Sequence, residues 1–303
     1  MDGIRRFDFS RRKYGPELLV DVIDIGDVPN YVFWDEPYWL SYYDITLVTE
    51  GTGRLWLDDA AQPVCPGSVL FTTPGQVRRW QVDGLRGLAL FFPGEFIAAF
   101  FSDPLFLHRL GYFHQMDGRH SVQLSQREAA ELASKLDTMR GEIATLRPDT
   151  DHVLRAGLYE VLMWVSRRYA QRAGAAAVPG NATILGFVDL VEREYASLHR
   201  VGDYADRLAV TSGHLTELCK RRLGRTAGAV IRGRVVVEAR RRLLHTQATA
   251  ARIAADIGFQ DPAYFSRFFR RETGASPSEF RSAGRAAYGY DVKPAETAAS
   301  SAR

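Results

Sequence analysis

The stretch IGFQDPAYFSRFFRRETGASP, from Ile257 to Pro277, alternates aromatic pairs with arginines on one short helical segment. Asp261 suits a helix N-cap and Pro262 the first helical position, so the helix is expected to start there. At helical spacing Tyr264, Phe265, Phe268 and Phe269 form one broad apolar face, expected to dock on a scaffold, while Ala263, Ser266, Arg267 and Arg270 occupy the rest. The bland reading is an amphipathic helix with its arginines in water. The sharper reading is a helix that packs with one face and grips nucleic acid with the other. Close approach to a major groove needs short residues, and a long guanidinium can reach guanine or phosphate.

An internal repeat favours the second reading. LCKRRLGRTAGAV (Leu218 to Val230) matches FFRRETGASPSEF (Phe268 to Phe280) at an offset of fifty, with Lys220 on Arg270, Arg221 on Arg271 and Gly224 on Gly274. Upstream, YADRLAVTSGHL matches IAADIGFQDPAYF with one extra residue in the second copy. Each copy reads as a short helix with a small residue inside (Ala205, Ala254), a tight turn with an apolar residue (Val210, Phe259), and a second helix capped by Thr211 or Asp261. That is the helix-turn-helix unit, twice.

Residues from about Asn181 to Arg281 resemble the double helix-turn-helix domain of the AraC/XylS family of bacterial transcription regulators, and IAADIGFQDPAYFSRFFRRETGASPSEFR is close to that family's signature. The resemblance implies seven helices, with Thr226 to His245 as a rigid connecting helix carrying Arg232, Arg234 and Arg240 to Arg242. It implies two recognition helices in successive major grooves of double-stranded DNA, about 34 Å apart. By position the base-contacting residues are Ser212, Gly213, Thr216 and Glu217 in the first, and Ala263, Ser266 and Arg267 in the second. Arg267 suits guanine and Glu217 a cytosine amino group. Gly213 departs from the larger side chain of many relatives. Lys220, Arg221, Arg270 and Arg271 are expected on phosphates, which position without specifying.

Charge follows the same division. Residues 181–285 hold 18 Lys and Arg against 11 Asp and Glu, a balance of +7, so within a total of +3 the remainder carries −4. Only the basic part is suited to a polyanion. Cys65 and Cys219 are far apart and form no metal or redox spacing, and no window reads as a signal core or membrane span, so a cytoplasmic protein is expected.

Before the basic part the chain changes character once. Up to about Pro93 short strand patterns alternate with turns, among them YDITLVTEGTGRLWLDD (Tyr43 to Asp59), read as two strands about Glu50-Gly51-Thr52-Gly53. Many short strands without helices argue for a small barrel or sandwich. Then Ala129, Leu132, Leu136, Met139, Ile143 and Leu146 recur at steps of three and four, an apolar stripe of the kind coiled coils use. A homodimer is expected through Leu132, Leu136, Met139 and Ile143, although such a stripe also suits packing on the chain's own barrel. A second helix, Asp151 to about Gln171, is apolar on most sides. The expected class is α+β. A sensing and dimerisation domain spans 1–172, a small-residue linker 173–183, the DNA-binding domain 184–285, and a disordered tail 286–303.

The front part resembles, more loosely, the cupin-like sensing domain of the same family over Val22 to Gln171. Tyr38 and Leu40 stand where some relatives carry a His-x-His pair, and Arg78 stands where a histidine often follows. His108, His114 and His120 do not replace them, so neither metal nor cofactor is expected. An aromatic cluster with cations, represented by Trp34, Trp39, Tyr43, Trp56, Arg78 and Trp80, is the candidate pocket for a small-molecule effector such as a sugar, an aromatic acid or a fatty acid. The same aromatics would equally fill a barrel core. The function expected is a non-enzymatic, effector-responsive transcription regulator, with RNA polymerase a further candidate partner. The competing classes are a ligand-independent architectural protein and a DNA-tethered cupin enzyme.

Overall fold

The computed structural model describes residues 5–27, 36–98, 106–107, 110–113, 120–173 and 182–288. Its first part is a mixed sheet of eight strands: β1 (Arg5–Phe7), β2 (Asp21–Asp24), β3 (Tyr38–Leu40), β4 (Tyr43–Leu57), β5 (Ala60–Val64), β6 (Ser68–Thr72), β7 (Val77–Phe92) and β8 (Ser121–Gln123). The order is β1-β3-β7-β4-β6-β8, with β2 also on β7 and β5 also on β4. Among the described residues only the β1–β3 pair is parallel.

The spine is β4 against β7, paired from Tyr43↔Phe92 to Leu57↔Arg78. The expected turn at Glu50 to Gly53 does not form: β4 runs straight through it, and the register shifts there instead. Glycine serves a bulge as readily as a turn, because both need positive φ or a bare backbone. Gly53 and Gly87 have φ of 155° and 154°. A Cβ on either would lie 2.0 Å from the carbonyl oxygen of Gln81 or Leu47. Across the irregularity the faces exchange. Ile45 and Leu47 belong to the core under the helices, whereas Leu55 and Leu57 belong to a second core with Tyr38, Leu40, Leu70, Trp80 and Phe91.

After α1 (Gly94–Ala98) and β8, two long helices cover the first of these faces, α2 (Gln126–Thr145) and α3 (Thr150–Ala173). A capping box starts α2: Ser125 accepts from the Glu128 amide, and the Glu128 carboxylate accepts from the Ser125 amide. The apolar stripe points inward. Leu132, Leu136, Met139 and Ile143 are buried in one core with Ile45, Phe71, Leu158 and Leu162. They have no surface to offer a second copy, so the expected dimer seam is this chain's own core. Heptad-like spacing records that a face is buried but not what buries it.

The second part is seven helices: α4 (Ala182–Glu194), α5 (Val201–Arg207), α6 (Ser212–Leu223), α7 (Ala227–His245), α8 (Ala250–Asp256), α9 (Pro262–Thr273) and α10 (Pro277–Tyr288). Thr226 caps α7, accepting from the Ala229 amide. The first half of α7 packs with α4, α5 and α6 around Phe187, Tyr204, Leu215 and Ile231. Its second half packs with α8 and α9 around Val235, Ala239, Ile253, Phe265 and Phe269. One helix thus belongs to two small cores and holds them together. The class is α+β. The expected linker lies, apart from its ends, outside the described residues. Part of the expected tail is helical, because α10 continues to Tyr288. Among the described residues no helix is long and apolar enough to cross a membrane.

Candidate nucleic-acid interface

The two short helix pairs α5–α6 and α8–α9 are built from the same local rules. Ala205 and Ala254 are buried where the paired helices meet. Thr211 accepts from the His214 amide at 3.1 Å, and Asp261 from the Ala263 amide at 2.8 Å, so α6 and α9 begin at equivalent points. Gly224 and Gly274 end them in the left-handed region, φ 68° and 85°. The pattern of burial repeats residue for residue from 211–220 to 261–270, with buried positions at 215, 218 and 219 and again at 265, 268 and 269.

That repeat fixes what each helix leaves outside. Ser212, Gly213 and Glu217 on α6, and Ala263 and Arg267 on α9, are exposed, while Thr216 and Ser266 are half-buried. Lys220, Arg221, Arg270 and Arg271 are exposed one turn further on. Glu217 and Arg267 are the long polar groups of the two sets, their side chains 59% and 69% exposed and each within 4 Å of an ion-pair partner, Lys220 and Asp261. Pairs this exposed are readily exchanged for another partner. Ser266 donates to the Pro262 carbonyl at 2.9 Å, which leaves its oxygen as an acceptor. Arg271 is held by Glu272.

Tyr264 departs from expectation. It is 53% exposed, not buried with the phenylalanines. At the third position of its helix it lies beyond the edge of the apolar face, with its ring against Phe259 at 5.9 Å.

The arginines of the connecting helix are paired with carboxylates of this chain. Arg234 donates to Glu192 at 2.7 Å and Arg242 to Asp256 at 3.2 Å, and Arg232 pairs with Glu272 at 3.1 Å. Glu238, buried, accepts from Arg234, Arg241 and Arg242. Burial alone would raise its pKa, but the three guanidiniums outweigh it and hold the carboxyl below its usual range. Arg241 and Arg240 reach Asp58 and Asp59 of the sheet. The sequence reading missed Glu238 and the aspartates. The only signal was an acid set among arginines in VEARRR.

The expected effector cluster is divided. Arg78 and Trp80 lie on the face enclosed by the second core. Trp39 alternates to the other face of β3 from Tyr38 and Leu40, with the Arg6 guanidinium over its ring at 4.9 Å. Trp56 alternates away from Leu55 and Leu57, and its indole donates to Gln81 at 2.9 Å. Tyr43 stacks on Phe92 under the helices, where burial pushes its hydroxyl up to about 12. Trp34 lies outside the described residues. A β-strand sends successive side chains to opposite faces, so neighbours in sequence did not become neighbours in space.

The enclosed face does contain a polar group. Asp44 accepts from Thr46 at 2.9 Å, from Thr72 at 3.3 Å, and from the Arg78 guanidinium, all four residues being buried. Tyr38 pairs with Arg78 across the strands, and the guanidinium lies 4.9 Å from its ring. Tyr38 and Arg78 therefore lie side by side on this face, and Leu40 shares the second core with Tyr38. A leucine cannot ligate a cation, and a guanidinium repels one, so these residues do not fit a cupin-type metal centre. His120 is buried, and His108 and His114 lie outside the described residues.

Two family models match the chain: an AraC-like ligand-binding domain over residues 25–162 and a helix-turn-helix domain over 204–283. The arabinose operon regulatory protein of Salmonella typhimurium is 24% identical over 257 residues, covering 82% of this chain and 86% of that protein. The transcriptional activator RhaS of Pectobacterium atrosepticum is 23% identical over 243 residues, covering 80% and 85%. Among solved structures, ToxT from Vibrio cholerae aligns over 86% of this chain and 97% of its own, at 14% identity and a TM-score of 0.41.

Proposed function

We propose, on the premise that this chain belongs to the AraC family of DNA-binding transcription regulators, that it reads two successive major grooves with α6 and α9 under the control of a small molecule. The observation that carries the reading is the residue-for-residue repeat of burial between the two helices. It leaves the same positions free on each, as a module that docks twice requires. Ser212, Gly213, Thr216, Glu217, Ala263, Ser266 and Arg267 face base edges in this account, and Lys220, Arg221, Arg270 and Arg271 face phosphates.

The effector belongs on the enclosed face of a cupin-like sheet domain, beside Arg78 and Asp44. A guanidinium and a carboxylate together offer donors and acceptors, which suits a small polyhydroxyl molecule. One relative is named for an arabinose operon. The chain divides in this reading into a sensing domain over 1–172 and a DNA-binding domain over 184–285. A homodimer completes it. Its contact is the outer face of α2 and α3, where Val153 is 45% exposed beside a groove that includes Ser134, Lys135, Thr138, Gly157 and Glu160.

The test is selection of duplexes from a random pool by the purified chain, followed by footprinting and by thermal shift against a panel of sugars and organic acids. A recovered motif of two half-sites about one helical turn apart supports the reading. Recovery of no motif refutes it. Val153→Glu should lower the mass in light scattering if the outer face is the dimer contact.

A further inference from the structure

The turn that joins β4 to β5 carries two adjacent aspartates, and each is paired with one of two adjacent arginines of α7. Arg241 forks onto Asp58, Nε donating to Oδ1 at 2.8 Å and Nη2 to Oδ2 at 3.0 Å. Beside it Arg240 donates to Asp59 at 2.8 Å. The inner pair is buried, its side chains 9% and 8% exposed, while the outer pair is about one-third exposed, 32% and 30%. Burying a carboxylate and a guanidinium is costly unless both are met by good geometry and further hydrogen bonds. Both conditions hold here. Asp58 also accepts from the Val77 amide at 3.1 Å, and Arg241 donates to Glu238 at 3.4 Å. Gly75, in the neighbouring turn, leaves room: even a Cβ there would stay 3.6 Å from the Arg241 guanidinium.

Both ends of this contact are anchored in working parts. On the helix side, Glu238 ties Arg241 to Arg234 and Arg242, which bind Glu192 of α4 and Asp256 of α8. The contact therefore reaches the helix that holds both DNA-reading helices. On the sheet side, Asp58 and Val77 exchange two hydrogen bonds, since the Asp58 amide also donates to the Val77 carbonyl at 2.7 Å. The next residue, Arg78, turns to the enclosed face and binds Asp44. One residue of β7 separates the enclosed polar group from the clamp on α7.

We propose that Asp58–Arg241, flanked by Asp59–Arg240, is an interdomain latch: while closed, it locks the sheet onto the connecting helix and fixes how the DNA-reading helices are presented. The latch is ionic, so separation exposes both charges to water, which solvates them well. A buried ion pair is thus a contact that holds when docked and tolerates opening, unlike an apolar seam. Its position beside Arg78 gives a change on the enclosed face a direct route to α7, through Val77 and Asp58. The mechanical claim does not depend on DNA or an effector.

The experiment uses the full chain without DNA. Asp59→Arg, Arg240→Asp and the double variant Asp59→Arg/Arg240→Asp are compared by amide hydrogen exchange and X-ray solution scattering. Asp59 and Arg240 are each about one-third exposed, at the rim of the contact and outside either core, and near-ultraviolet circular dichroism checks that each variant is folded. The latch predicts that each single variant exchanges several-fold faster in both 57–61 and 235–245 and scatters as a larger particle. The double variant returns both readings toward the wild type. Asp58→Asn is the second probe, and it should open the contact at least as far as either single reversal. Single reversals or Asp58→Asn that leave exchange and radius at wild-type values overturn the proposal. A double variant no better than the singles overturns it as well.

Discussion

Glu217 and Arg267 stand fifty residues apart at the same turn of two equivalent helices, each exposed, and they carry opposite charges. A carboxylate accepts where a guanidinium donates, so on the proposed reading the two helices would ask for different bases. The selected DNA should therefore be asymmetric, with a guanine under Arg267 and a cytosine amino group under Glu217. Glu217→Gln should broaden preference at one position of its half-site and leave the other half-site unchanged. A sequence logo from duplexes selected by the variant checks this.

Arg270 is exposed one turn beyond the residues proposed to face bases, and the same reading assigns it a phosphate contact. Arg270→Ala should weaken binding to specific and random duplexes alike and lower the slope of log affinity against log salt by about 1. Titrations at several salt concentrations measure both effects.

Leu136 is fully buried between sheet and helices. Leu136→Ala should cost about 2–5 kcal/mol of stability, visible as an earlier denaturant midpoint. The oligomeric state should not change. A variant of wild-type stability that has lost half its mass would return the stripe to the interface.

The two cysteines should react very differently. Cys65 is exposed, whereas Cys219 is buried in the first helical core, and that burial pushes its thiol up to about 11. Near pH 8 a thiolate-selective reagent should modify one cysteine of the folded chain and the second only in denaturant. Peptide mapping identifies which.

The capping box of α2 titrates. Hydrogen bonds from Ser125, with Arg172 beside them, pull the Glu128 carboxyl from 4.5 down to about 2. A depressed carboxyl stabilises above its unfolded value and loses that contribution as pH falls through the folded value. The start of α2 should thus fray between about pH 4.5 and 2, and amide exchange at residues 126–130 should accelerate there. Glu128 is partly exposed, so the effect on global stability should be small.

The helical part was legible because its information is local. Caps, small residues at crossings and apolar spacing lie within one short segment, and the offset of fifty let each copy check the other. Tyr264 escaped because a helix's first turn is open on one side, where spacing no longer decides burial. The sheet was legible in class but not in detail. Gly51 and Gly53 read as a turn and serve a bulge, since both need the same backbone freedom. The aromatic cluster failed because strand alternation separates Trp39 and Trp56 from Arg78 and Trp80. Asp58 and Arg241 are 183 residues apart, and no local pattern announces such a pair.

The central claim, that α9 reads sequence, is tested most directly by titrating wild type and Arg267→Ala against the selected duplex and a scrambled one. The account predicts a loss of about 1–3 kcal/mol on the selected duplex and almost none on the scrambled duplex. Equal losses on both would contradict it, making Arg267 one more phosphate contact.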